Sequence, residues 1–153
     1  SFLSDIVDRL LDLRMYYDTY RPILLKVSPD ISKEQLDDII DYCLRSGIDG
    51  IVAGNTTRSR DGITSISKEK IEAIGNGGMS GAPLYSKNLE LVKYVHAKSE
   101  GKLPIIGVGG IMSPEQAKEM MDAGASLVEI YSGFIYEGPA LIKNINKHLE
   151  NTL

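Results

Sequence analysis

Apolar and polar positions along this chain follow two periods that take turns. Leu3, Ile6, Val7 and Leu10 recur at helical spacing and predict an amphipathic helix. That helix must end before Arg21-Pro22, because the residue ahead of a proline is disfavoured in the α region. Ile23 to Val27 is a compact apolar run and reads as a strand carrying one lysine, Lys26. Ser32 and Gln35 form a capping box, Leu36, Ile39, Ile40, Cys43 and Leu44 mark a buried stripe, and Gly47 stops that helix. Gly50 to Ala53 is the next strand. Helix returns near Lys87 to Lys98, with Leu89, Val92 and Val95 as its apolar side. Leu103 to Gly110 reads as a short buried strand running into a glycine loop. Ser113 is placed as an N-cap, Pro114 takes the first helical position, and Gln116 completes a second capping box. Ser126 to Tyr131 is a fourth strand, and a last helix from Pro139 buries Leu141, Ile142, Ile145 and Leu149.

Residues 54 to 85 break this rhythm. They hold Asn55-Thr56-Thr57, an Asp61-Gly62 turn, a short helix near Ser67 to Ile74, and a glycine-rich run from Gly75 to Gly81. So long a connection in a compact domain is functional or mobile as a rule. Four strands, each followed by a helix, imply a parallel sheet. A full (β/α)8 barrel takes about 250 residues, so this chain supplies roughly half of one. An open, doubly wound four-stranded domain is the other arrangement. The helix at Leu3 precedes the first strand, as if it closed an earlier βα unit. With no repeat, linker or low-complexity segment, residues 1–153 read as one structural unit.

Composition narrows the function classes. The formal net charge of the 153 residues is −4 and no basic run stands out, which argues against nucleic acid as a partner. The single Cys43 cannot form an internal disulfide and fits a reducing, cytoplasmic setting. No apolar run approaches a membrane span, and Asp5, Asp8, Arg9 and Asp12 interrupt the N-terminal stretch too often for a signal peptide. His96 and His148 are isolated on helices and read as surface residues; no metal site is expected. Cys43 falls on a buried stripe, so packing is its expected role. Asp37, Asp38 and Asp41 read as a solvated helix face.

The candidate chemistry lies at strand ends. Gly109 and Gly110 lack a Cβ, so a ligand can approach their amides, and amides beside a helix start attract anions. A second βα loop, Tyr131-Ser132-Gly133, follows one unit later. Two such loops in succession resemble the phosphate site formed by the last two strands of a (β/α)8 barrel. An ordinary glycine-rich turn without ligand fits the same residues.

Five segments in order carry a more specific likeness: LLKVSPD from Leu24, IDGIVAGNTT from Ile48, GGMSGAPL from Gly77, PIIGVGGI from Pro104 and GASLVEIYS from Gly124. Together they resemble dihydroorotate dehydrogenase, and Asn-Thr-Thr with Gly-Gly-Met-Ser-Gly resembles its quinone-linked, class 2 branch. The likeness runs from about Arg21 onward. It implies the C-terminal half of an FMN-containing (β/α)8 barrel, about four βα units, with the N-terminal half absent. In that family a base takes a proton from C5 of dihydroorotate, a hydride passes from C6 to flavin N5, and a quinone reoxidises the flavin. The resemblance places the serine base upstream, so no catalytic residue is expected in this chain and the isolated chain is expected to be inactive. The complete enzyme would be peripheral on a membrane.

The resemblance also implies roles for residues. Lys26 would stabilise negative charge near flavin N1 and O2; from the residue alone, a lysine head reaching solvent is the commoner case. Asn55 and Thr56 would bind the imide and carboxylate edges of orotate, with Thr56 also near the flavin, although both fit a simple turn after a strand. Ser80 and Gly81 would lie against the flavin and its ribityl chain. Gly109, Gly110, Tyr131 and Ser132 would hold the FMN phosphate, with Ser132 in place of a commoner threonine. Gly54 stands where the family has threonine. A phosphate-binding half-barrel of a non-redox enzyme, and a non-catalytic fragment that self-associates through its open edges, are the other readings.

Overall fold

The computed structural model describes residues 2–61, 63 and 66–152, so the Asp61-Gly62 turn lies partly outside the described residues. The first helix, α1, spans Phe2–Arg14, and strand β1 spans Leu24–Val27. Helix α2 (Lys33–Ser46) leads to β2 (Gly50–Ala53), α3 (Lys68–Ile74) and α4 (Tyr85–Lys98). Strand β3 (Ile105–Val108), α5 (Pro114–Asp122), β4 (Leu127–Glu129), α6 (Ser132–Glu137) and α7 (Pro139–Glu150) complete the order.

The strands pair in parallel in the order β1-β2-β3-β4. This order separates the two architectures that the sequence leaves open. A doubly wound sheet reverses direction at a switch point. Here every crossover steps the same way, and with right-handed connections that puts the helices on one face. Burial agrees. Val27, Ile51, Ala53 and Ile105 join one core with Leu36, Ile40, Leu89, Val92 and Val95 of α2 and α4. Lys26, Val52, Ile106 and Leu127 share a register row on the other face. Lys26 is exposed there, and Leu127 is 61% exposed. The sheet is a four-strand sector of a (β/α)8 barrel.

Several local expectations hold for physical reasons. Ser32 accepts from the Gln35 amide while Gln35 accepts from the Ser32 amide, and Gly47 closes α2 at φ 82°. Cys43 is buried, and desolvation pushes its thiol up to about 11, which suits packing rather than nucleophilic work. Other expectations need correction. At α5, Ser113 accepts from the Gln116 amide, but the Gln116 side chain accepts from Met112 rather than from the cap residue. Asp37 does not form a solvated face; it accepts from the Tyr94 hydroxyl at 2.7 Å and pairs with Lys98 at 3.6 Å. Leu44 and Ile142 are 40% and 44% exposed, because each sits at the margin of its helix's buried stripe. His148 is half-buried, whereas His96 is exposed as expected.

At the end of the sheet away from the strand C-termini, the Asp49 carboxylate ties the chain entry together. It accepts from Arg14 at 2.7 Å and from the Ile23 amide at 2.6 Å, and the Tyr20 hydroxyl donates to it. Burial opposes ionisation there, but Tyr20, the Ile23 amide and Arg14 outweigh it and hold the carboxyl below its ordinary range.

Candidate functional site

Residues at the C-terminal ends of parallel strands converge on one cavity of about 400 Å³. That volume suits a small organic ligand. Lys26, Asn55, Thr56, Ser80, Gly81, Gly109, Gly110, Tyr131 and Ser132 all line it. Every site residue singled out from the sequence is therefore brought to one place. Leu84, Val108, Glu129 and Ile130 complete the wall and were not singled out. Lys26 and Glu129 share the inner face of the sheet, a position that alternation along each strand could have indicated.

The backbone around the cavity depends on glycine at specific points. Gly109 and Gly110 have φ of 106° and 80°, a region that side chains rarely adopt. A Cβ on Gly110 would overlap the backbone of Tyr85, and one on Gly109 would overlap the amide of Asn88. The strand-end loop thus lies directly on the start of α4. Asn88 is fully buried beneath it, and neither polar atom of its side-chain amide has a hydrogen-bond partner among the described residues. Tyr85 is fixed in turn, because its hydroxyl donates to Glu119 at 2.6 Å. Burial and that carboxylate push the phenol well above its ordinary range.

The connection between β2 and α4 folds over the same end. Thr57 and Met79 exchange backbone hydrogen bonds of 3.1 and 2.7 Å, so Asn55-Thr56 and Ser80 approach from two sides. The Arg60 guanidinium donates to the Thr57 carbonyl at 3.1 Å and also to the Gly77 carbonyl. Across the cavity the hydroxyls of Ser80 and Ser132 stand 3.4 Å apart. Asn55 is exposed and lines the cavity, and its side-chain amide makes no hydrogen bond among the described residues.

Asp30, quoted in the sequence only as part of a motif, is the hub of this layer. It accepts from Thr57 Oγ1 at 2.5 Å, Lys87 Nζ at 2.6 Å and the Arg58 amide at 2.8 Å. It joins the loop after β1, the loop after β2 and α4. Lys87, then Thr57, hold its carboxyl at about 2 against the cost of partial burial. A carboxyl depressed in the folded state stabilises above its unfolded value and loses that contribution as the pH falls through the folded one. Asp30→Asn should cost about 1–2 kcal/mol at neutral pH, the lower part of the range for hydrogen bonds to a charged group because solvent screens this exposed carboxylate. The difference from the parent chain should vanish between about pH 4 and pH 2. Chemical denaturation of both proteins across that window checks this; a pH-independent difference would remove the carboxylate from the role.

The residues present fit a flavin mononucleotide. Flexible glycine amides with Ser132 and Ser80 suit a phosphate and a polyol, Lys26 suits an electron-rich ring edge, and Asn55 offers a free donor and acceptor. Among the described residues no group of His, Cys, Asp and Glu is arranged to hold a metal, and no helix is long and apolar enough to cross a membrane.

Comparison with known proteins agrees with this geometry. The family model described as Dihydroorotate dehydrogenase matches residues 5–153. The dihydroorotate dehydrogenase (quinone) of Christiangramia forsetii is 46% identical over 147 residues, covering 96% of this chain and 42% of that protein. The enzyme of the same name from Proteus mirabilis is 44% identical over 149 residues, covering 97% of this chain and 43% of that protein. The crystal structure of the ligand-free dihydroorotate dehydrogenase from Eimeria tenella superposes with a TM-score of 0.86 at 29% identity. It covers 97% of this chain and 44% of that one. The chain thus spans less than half the length of the relatives it matches. By sequence, fold and the convergence of its strand-end residues, the chain belongs to the dihydroorotate dehydrogenase family.

Proposed function

We propose that this chain is the C-terminal part of an FMN-dependent dihydroorotate dehydrogenase that oxidises dihydroorotate to orotate in pyrimidine biosynthesis and delivers the electrons to a quinone. One observation carries the reading: the lysine, the Asn-Thr pair, the Ser-Gly loop and both glycine–hydroxyl loops line a single cavity. A phosphate-binding protein without redox chemistry needs the two βα loops but not Lys26 or Asn55.

FMN, when bound, supplies the acceptor for the two electrons of the oxidation. The Gly109-Gly110 amides and the Ser132 hydroxyl bind its phosphate, and the Tyr131 side chain walls that end. Ser80, Gly81 and Thr56 position the polyol and the ring. Lys26 would place its positive charge at the ring edge where electron density collects on reduction and would stabilise that charge. Asn55 and Thr56 orient the pyrimidine through its imide and carboxylate edges. The proton-accepting base and the remaining pocket wall come from the part of the relatives that this chain does not span. The protein works in the cytoplasm, and the complete enzyme meets its quinone at a membrane surface.

Titration of the 153-residue polypeptide with FMN and with inorganic phosphate tests the reading. Phosphate and FMN should compete, with FMN binding weakly because half of its ring pocket lies elsewhere. Dihydroorotate oxidation should be undetectable for this polypeptide and should return when the missing half of a relative is supplied. Phosphate that binds without any competition from FMN would favour a non-redox phosphate site.

A further inference from the structure

The cavity holds one charged contact that the proposed chemistry does not use. Lys26 Nζ lies 4.0 Å from Glu129 Oε2, and both side chains are about half exposed, at 49% and 50%. They stand on β1 and β4, the first and last strands of the sheet. With strands spaced about 4.8 Å apart, a flat sheet would hold those backbones roughly 14 Å from each other. The curvature of the sheet and the length of the two side chains close that gap to 4.0 Å. Neither residue has another ion-pair partner among the described residues. Both also line the ligand cavity, so the pair spans the space that a ligand must enter.

Resting on the reading of this cavity as a flavin site, we propose that Glu129 is a positioning residue. It holds Lys26 across the cavity and yields it to the electron-rich edge of an incoming ring. The carboxylate is then a built-in competitor. Binding breaks one half-exposed ion pair and leaves a negative charge near the place where the ligand's own negative charge settles. Both effects weaken the hold on an electron-rich ring. A half-exposed pair of this kind is worth little by itself, so the effect on affinity is modest and readable rather than all-or-none. Glutamine at position 129 would keep the shape of the side chain and remove both penalties.

The test uses Glu129→Gln, Lys26→Met and the double variant of this chain, with two probes and one chemical readout. Glu129→Gln should bind FMN about two- to fivefold more tightly, the range expected from a half-exposed ion pair. The gain should vanish in the Lys26→Met background, and inorganic phosphate, which reaches only the glycine and hydroxyl loops, should bind all the proteins alike. Without any ligand, Lys26 should be acetylated by acetic anhydride faster in Glu129→Gln than in the parent, measured by peptide mass spectrometry against Lys33 and Lys143 as internal standards. A purely structural role for Glu129 would change phosphate binding and melting temperature together and leave no dependence on Lys26. Equal FMN affinity and equal Lys26 acetylation in parent and Glu129→Gln overturn the proposal. If no variant binds FMN, the flavin reading of this cavity fails, and acetylation alone decides the pair: faster labelling upholds the Glu129 hold on Lys26, and unchanged labelling overturns it.

Discussion

Gly110→Ala should lower the melting temperature of this chain by about 10 °C and abolish its affinity for phosphate. The added Cβ would overlap the amide nitrogen of Tyr85 and lie 2.6 Å from its Cα and 2.8 Å from its Cβ. Tyr85 cannot retreat. It begins α4, is buried, and its hydroxyl is tied to Glu119 on α5. The substitution also forces a side chain onto a backbone at φ 80°. Left-handed strain costs about 1–2 kcal/mol, and overpacking a filled site costs about 1–3 kcal/mol more. In a domain of this size each kcal/mol moves the midpoint by about 2–4 °C. Gly47→Ala is the control. Gly47 has a similar φ of 82°, but a Cβ there would meet nothing within 4 Å. It should show the strain alone, a shift of only a few degrees, and leave phosphate binding intact. Equal shifts for the two variants would mean that the close approach of the glycine loop to α4 is not what fixes the site.

The same contact shows what the sequence could and could not disclose. The two glycine and hydroxyl loops at successive strand ends, Gly109-Gly110 and Tyr131-Ser132, are visible as letters, whereas Lys26, Asn55, Thr56, Ser80 and Gly81 could be named before any coordinates only through the resemblance of five ordered segments to a known family. Caps were legible for the same reason: the interaction between Ser32 and Gln35 is local and needs no tertiary information. Contacts between segments far apart in the chain were not. Asp30 reaches Thr57 and Lys87, 27 and 57 residues away, and Lys26 meets Glu129 only because the sheet curves. The helix α6 escaped because it lacks a buried stripe: Phe134, Ile135 and Tyr136 are 39%, 70% and 76% exposed. Gln116 shows the limit of a motif, since its side chain found the Met112 amide instead of the cap. The order of the strands, which decides between barrel sector and doubly wound sheet, has no local signature at all.

The polypeptide of these 153 residues should self-associate, and the form it takes follows from its two edges. Among the described residues, strands β1 and β4 each have one unpaired side, and such edges are templates for another strand. Apolar surface accompanies both. Beside β4 stand Leu127, Tyr131 and Ile135, 61%, 75% and 70% exposed; on α1 and just beyond it stand Leu13, Met15 and Tyr16, 56%, 83% and 85% exposed. A curved parallel sheet of four strands presents β1 at one side and β4 at the other, so two copies related by a two-fold axis can pair β4 with β1 twice and close a ring of eight strands. Closure satisfies both edges and covers the inner face, whereas a non-closing stack would leave one edge free and grow. Light scattering over a dilution series should therefore show a dimer that dissociates on dilution rather than a ladder of larger species. Ile135→Asp should shift the equilibrium toward monomer without lowering helix content. Supplying the missing half of a relative should compete with the dimer, since both use the same edges. A monomer at every concentration, with slow hydrogen exchange at the amides of β4, would mean that the chain covers its own edge.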